Sequence, residues 1–204
     1  MFRKVFKGER ADGQPIKVLI IGESHYEDNT VIEGTSDVVN YLAVEGNDNG
    51  TQFYKNIMKT FGYDITPEQR KLFWSKVYFG NYVSELCGKR ENNVAAQLIK
   101  KNKKQYNNDL FDFVNDNEID IVFCFSRLVY DNLPSAAAGE KEEVLIKHKT
   151  NSLKRFKYHA CIEHGNCDIV LKKPLKVFGL RHSSAGFSST VYSDYLKDII
   201  CGTI

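Results

Sequence analysis

An apolar run that stops at a glycine constrains this chain more than any other feature. Residues 17–26 read KVLIIGESHY: Val18, Leu19, Ile20 and Ile21 are apolar without alternation, Gly22 ends the run, and Glu23, Ser24, His25 and Tyr26 follow. A short β-branched run bounded by glycine is the pattern of a strand covered on both faces, as in parallel sheets whose crossovers lay helices on either side. In such sheets ligands bind just beyond the carboxyl ends of the strands. The four residues after Gly22, each able to do chemistry or to contact a ring, are therefore where a site should begin.

The rest of the chain supplies further strands and the helices to cover them. Residues 120–125 (DIVFCF) form a second buried-strand pattern, residues 175–180 (LKVFGL, after Pro174) a third, and the VYFGNYV core of residues 76–88 a shorter strand ending near Asn81. Between them, Thr35 or Ser36 can cap a short helix that stops near Gly46. A second helix over residues 52–61 places Phe53, Ile57 and Phe61 on one stripe. Thr66 as N-cap, Pro67 at the first helical position and Gln69 closing a capping box mark the start of a third. Two helical patterns follow, residues 94–101 and 106–114, separated by the basic KKNKK of residues 100–104. Ser126 caps a helix closed by Pro134, and a last helix starts near Ser188 with Val191, Tyr192, Tyr195, Leu196 and Ile199 inward. Residues 1–16 form a lead-in, and residues 135–173 an insertion or hairpin region with short strands. Strands alternating with helices predict an α/β fold: a three-layer α/β/α domain over residues 1–204 with a central, mostly parallel sheet of four to five strands.

Composition narrows the setting. The 204 residues are short enough for one core, since single cores grow to roughly 250 residues before chains split. A formal net charge of +2 is too small to argue for nucleic acid by itself. No run approaches the roughly 20 apolar residues of a membrane span, and the opening MFRKVFKGER lacks the apolar core of a signal peptide, so no membrane partner and a cytoplasmic location are expected. The five cysteines, an odd number without framework spacing, fit a reducing compartment.

The order of GESHY (residues 22–26), VYFGNYV with Asn81, DIVFCFSRLVYDNL and HSSAGFSS (residues 182–189) resembles the uracil-DNA glycosylase superfamily. That family opens its site with a strand ending in a Gly-containing box, reads uracil with an Asn from a later strand, and closes with a His-Pro-Ser box. The resemblance covers most of residues 17–200 and implies a DNA or nucleotide partner, base flipping, a role in DNA repair and no cofactor. Two departures stand out. Ser24 occupies a place where the family has Asp, Asn or Ala, with His25 in place of Pro, and Ser183 replaces the Pro of the last box. Ser24 cannot act as the carboxylate that orients the hydrolytic water in the most active members, and no four-cysteine set matches the iron–sulfur branches.

Base release builds negative charge on the leaving base, so a site needs donors aimed at that base and something to hold water. The resemblance implies Glu23, His25 and His182 as catalytic candidates, with Glu23 the nearest carboxylate for water and His182 a donor to a base carbonyl. It implies Ser24, Tyr26, Phe53 and Asn81 for base contact, and Ser183, Ser184 and Ser188 for phosphate. Each has a plainer alternative: Asn81 bonding a strand end, Phe53 in the core with Ile57 and Phe61, structural histidines, and a serine run serving only as cap and loop. The basic residues Lys100, Lys101, Lys103, Lys104, Lys154, Arg155, Lys157, Lys172, Lys173 and Lys176 could track a phosphate backbone if they face the crevice. His159, Cys161, His164 and Cys167 have the ligand chemistry for zinc, but four ligands within nine residues is tighter than usual sites, and a hairpin with incidental His and Cys is the favoured account. Two other functions keep the same crevice: a nucleotide- or nucleic-acid-binding module without catalysis, and a Glu/His-dependent hydrolase of small molecules.

Overall fold

Strand and helix signals become a single mixed sheet with helices on both faces. The computed structural model describes residues 5–25, 34–47, 51–87, 94–134, 142–148, 151–183 and 186–200. The strands are β1 (Phe6–Lys7), β2 (Val18–His25), β3 (Tyr78–Leu86), β4 (Ile121–Cys124), β5 (Glu143–His148), β6 (Asn151–Tyr158) and β7 (Leu175–Gly179). The helices are α1 (Thr35–Val38), continued by a π-helical turn Val39–Val44, α2 (Gln52–Thr60), α3 (Pro67–Ser75), α4 (Val94–Asn117), α5 (Arg127–Tyr130) and α6 (Ser189–Ile200).

Strand order is β1-β3-β2-β4-β7-β6-β5. The four middle strands β3, β2, β4 and β7 run parallel, while β1, β6 and β5 add antiparallel edges. The expected mostly parallel sheet of four to five strands is thus corrected to a seven-stranded mixed sheet. The physical reason lies in residues 142–158. There β5 and β6 pair antiparallel with each other and β6 docks antiparallel on β7, which adds two strands and a mixed sense at that edge.

Both faces of the middle strands are buried, which explains their lack of alternation. Leu19 and Ile21 pack with Leu110, Phe111, Val114 and Val129 of α4 and α5. Val18 and Ile20 pack on the other face with Ile57, Phe73, Trp74, Tyr192 and Leu196 of α2, α3 and α6. The chain leaves β2 for β3 on one side and returns to β4 on the other, so the topological switch point falls at β2 and β4, where the crevice of an open α/β sheet is expected. Their ends are level: Ile21 pairs with Cys124, Cys124 with Gly179, and Phe125 N–H and Leu180 N–H extend the ladder at 2.9 Å each.

Several boundaries follow from local chemistry. Thr66 Oγ1 accepts from Gln69 N–H at 3.3 Å with Pro67 at the first helical position. Ser126 Oγ accepts from Val129 N–H at 3.3 Å and caps α5. Within α4, residues 94–101 and 106–114 belong to two helical segments that meet at a kink inside KKNKK, at Asn102, whose φ of −115° and ψ of 15° are non-helical. Two expectations need correction. The N-cap of α1 is Gly34, not Thr35 or Ser36. Finally, β3 runs on to Leu86, so Asn81 lies within the strand and not at its end. Among the described residues no helix is long and apolar enough to cross a membrane.

Candidate functional site

Strands β2 and β3, helix α2 and the β7–α6 loop bring part of the expected set together. Gly22 pairs with Asn81 across the parallel β2–β3 ladder, so the Asn81 side chain reaches over the one position of β2 that has no side chain. A Cβ at Gly22 would lie 2.5 Å from Asn81 Oδ1, 3.3 Å from Phe79 Cζ and 3.5 Å from Phe53 Cζ. Glycine is needed here for space, since its φ lies outside the left-handed region. Thr35 Oγ1 accepts from Asn81 Nδ2 at 3.4 Å, so the start of α1 orients the amide.

Phe53 comes to this point because α2 is turned slightly from its expected face. Its buried stripe is Tyr54, Ile57, Met58 and, just past the helix, Phe61, which leaves the half-buried Phe53 at the flank nearest the strand ends. The Phe53 ring meets Tyr54 and Phe79 edge-on at 5.2 and 6.1 Å and lies tilted against the His182 imidazole at 5.1 Å between centroids. Gly22, Phe53, Asn81 and His182 therefore line one place, drawn from β2, α2, β3 and the β7–α6 loop.

Glu23 and Ser24 take other directions. The Glu23 carboxylate accepts from Ser126 Oγ at 2.8 Å, so the residue that caps α5 also holds the acid at the switch point between β2 and β4. The Ser24 hydroxyl is buried, lies beside the Cys87 thiol, and has no well-formed hydrogen bond to a described residue. Burial chiefly holds the Cys87 thiol above its ordinary pKa, and the Ser24 contact partly offsets this. His25 ends β2; its side chain, Tyr26 and Ser184 lie outside the described residues.

Ser183 is corrected from phosphate ligand to structural link. It is fully buried, donates to Phe53 O at 3.0 Å and accepts at its own carbonyl from Asn56 Nδ2 at 2.5 Å, which leaves its hydroxyl turned inward. Ser188 is half-buried just before α6; its N–H donates to Asn151 Oδ1 at 3.2 Å and its hydroxyl pairs with Thr190 at 3.0 Å.

The basic residues do not form one track. Lys157 pairs in register with Lys176 at the amino end of β7, the end of the sheet opposite the crevice. Lys173 is bound to Asp120 at 2.6 Å, Lys154 to Glu142 at 2.7 Å, Lys104 to Asp168 at 2.8 Å and Arg155 to Glu143. The His/Cys loop is likewise not assembled as a ligand set. His164 is buried edge-on against Tyr158 and Phe111, with Nε2 3.2 Å from His159 O, while Cys161 is exposed and the Cys167 thiol turns to Ile169 O at 3.6 Å. Among the described residues no three His, Cys, Asp or Glu side chains are grouped to hold a metal ion.

Three residues of the site were not singled out for it by sequence reasoning: Thr35, Ser126 and Asn56. Asn56 carried a signal, because Asn is disfavoured inside a helix and one three positions after Phe53 shares its face. No family model matches the chain, and no curated protein matches its sequence.

Proposed function

We propose that this protein recognises a nucleobase flipped from DNA in the manner of the uracil-DNA glycosylase superfamily and hydrolyses its N-glycosidic bond. The observation that carries this reading is the meeting of Phe53, His182 and Asn81 over the side-chain-free Gly22. A flipped base needs an aromatic face to stack on and an amide to read its edge. Phe53 supplies the face and Asn81 the donor and acceptor. His182, beside the ring, can donate to a base carbonyl as negative charge builds there. Glu23, next to Gly22 in the chain and held by Ser126, is the carboxylate that this reading assigns to water.

A second reading keeps the pocket and omits the reaction, giving a base- or nucleic-acid-binding module. The buried Ser24 hydroxyl favours it, since a hydroxyl turned to Cys87 cannot do the work of a water-orienting carboxylate. The test is release of free base from uracil-containing single- and double-stranded DNA, with His182→Ala and Asn81→Ala as controls. Release abolished by both variants supports the glycosylase reading. Salt-sensitive DNA binding without release selects the second. Neither release nor binding refutes both and leaves the small-molecule hydrolase.

A further inference from the structure

We propose that Gln52, Asn56 and Ser183 are positioning residues that set the Phe53–His182 wall of the base site through one chain of hydrogen bonds. The inference rests on the base-recognition reading and adds Gln52 and Asn56, which lie outside the motifs on which that reading stands, with a new role for Ser183 inside one of them. Gln52 Nε2 donates to Asn56 Oδ1 at 2.7 Å. That bond fixes the Asn56 amide so that its Nδ2 points at Ser183 O, 2.5 Å away. Ser183 Oγ then donates to Phe53 O at 3.0 Å, which returns the chain of bonds to the first turn of α2. The two crossing bonds join α2 to the β7–α6 loop in both directions, and Ser183 is fully buried, so water does not compete for its hydroxyl.

The consequence falls on two neighbours. Phe53 belongs to the helical turn that receives the Ser183 bond, and His182 precedes Ser183 in the chain. Their rings lie 5.1 Å apart at a 44° tilt. The staple also gives a physical account of Ser183 where the resembled box has proline. Proline restricts that backbone through its ring, whereas here a side-chain donor and a received amide bond restrain it.

The test uses the full chain, isotopically labelled, and free uracil as the probe. In Asn56→Ala and Ser183→Ala the His182 and Phe53 ring proton resonances should move, because each ring sits in the other's ring-current field. Affinity for uracil should fall about 2- to 13-fold, the effect of one hydrogen bond on an equilibrium. The double variant should be worse than either single one, since Asn56→Ala removes the bond to Ser183 O and Ser183→Ala the separate bond to Phe53 O. Gln52 is exposed, so Gln52→Ala leaves the core intact; it should give a smaller effect in the same direction, and Gln52→Lys, which keeps a donor, should restore the wild-type spectrum. Wild-type affinity and unmoved ring resonances in Asn56→Ala and Gln52→Ala would overturn the proposal. If the resonances move but the wild-type protein binds no uracil, the staple stands and the base-recognition reading fails.

Discussion

Replacing Gly22 by alanine tests the base-site geometry at its tightest point. A Cβ there would meet Asn81 Oδ1 at 2.5 Å, whereas ordinary contact begins near 3.4 Å, so the amide oxygen must retreat by about 0.9 Å. The backbone need not move, because φ at Gly22 lies outside the left-handed region and alanine can adopt it. Phe79 Cζ, at 3.3 Å from the new methyl, must give only slightly. The Asn81 side chain is half-buried and can rotate, which puts the stability cost near the low end for overpacking, about 1 kcal/mol. Binding should suffer more. An oxygen displaced by that amount carries a hydrogen bond of about 2.9 Å to nearly 3.8 Å, beyond bonding range. Leaving a base edge unpaired costs about 1–3 kcal/mol, or about 5- to 150-fold in affinity. Urea unfolding would read the first quantity and a uracil titration the second. Equal affinities in Gly22→Ala and wild type, with an unmoved Asn81 side-chain amide resonance, would refute the reasoning.

Three other outcomes follow from the structure. Asn107 is fully buried, accepts from Tyr82 Oη at 2.7 Å and donates to Asn132 O and Asn166 O at 3.3 and 3.1 Å; Asn107→Leu should cost about 3 kcal/mol in urea unfolding by leaving those partners unpaired. Of Cys87, Cys124, Cys161 and Cys167, Cys161 is exposed and should react first with a thiol reagent at neutral pH, while Cys124, whose thiol pKa burial pushes well up, should react only on unfolding. Lys104, with Asn108, holds the Asp168 carboxyl below its ordinary pKa, so its contribution is in place above the unfolded value of about 3.9 and is lost as pH falls through the lower folded value. The stability difference between wild type and Asp168→Asn should therefore shrink below about pH 4 in pH-dependent urea unfolding.

The strands and caps were legible because their signals are local. A continuous apolar run ending at Gly22, the Thr66-Pro67-Glu68-Gln69 start of α3 and the Ser126 cap each depend on a few adjacent residues. The number of strands was not, since β5 and β6 join the sheet through pairing with β7, a choice made between distant segments. The same distinction runs through the site. Gly22 and Asn81 follow from runs that read as strands and His182 from the end of the LKVFGL run, and Phe53 carried only a weak hint because helical spacing also fits a core role. Nothing local reveals that the Ser183 hydroxyl turns to α2, 130 residues away in sequence, or that Glu23 is held by Ser126. Both bonds exist only once β2, β4 and β7 stand side by side.

Where a bound pyrimidine sits tests the central claim most directly. A crystal structure of the protein with uracil should show the ring stacked on Phe53, its edge at hydrogen-bond distance from Asn81 and a carbonyl facing His182. A pyrimidine found elsewhere, with those three side chains uncontacted, would contradict the account.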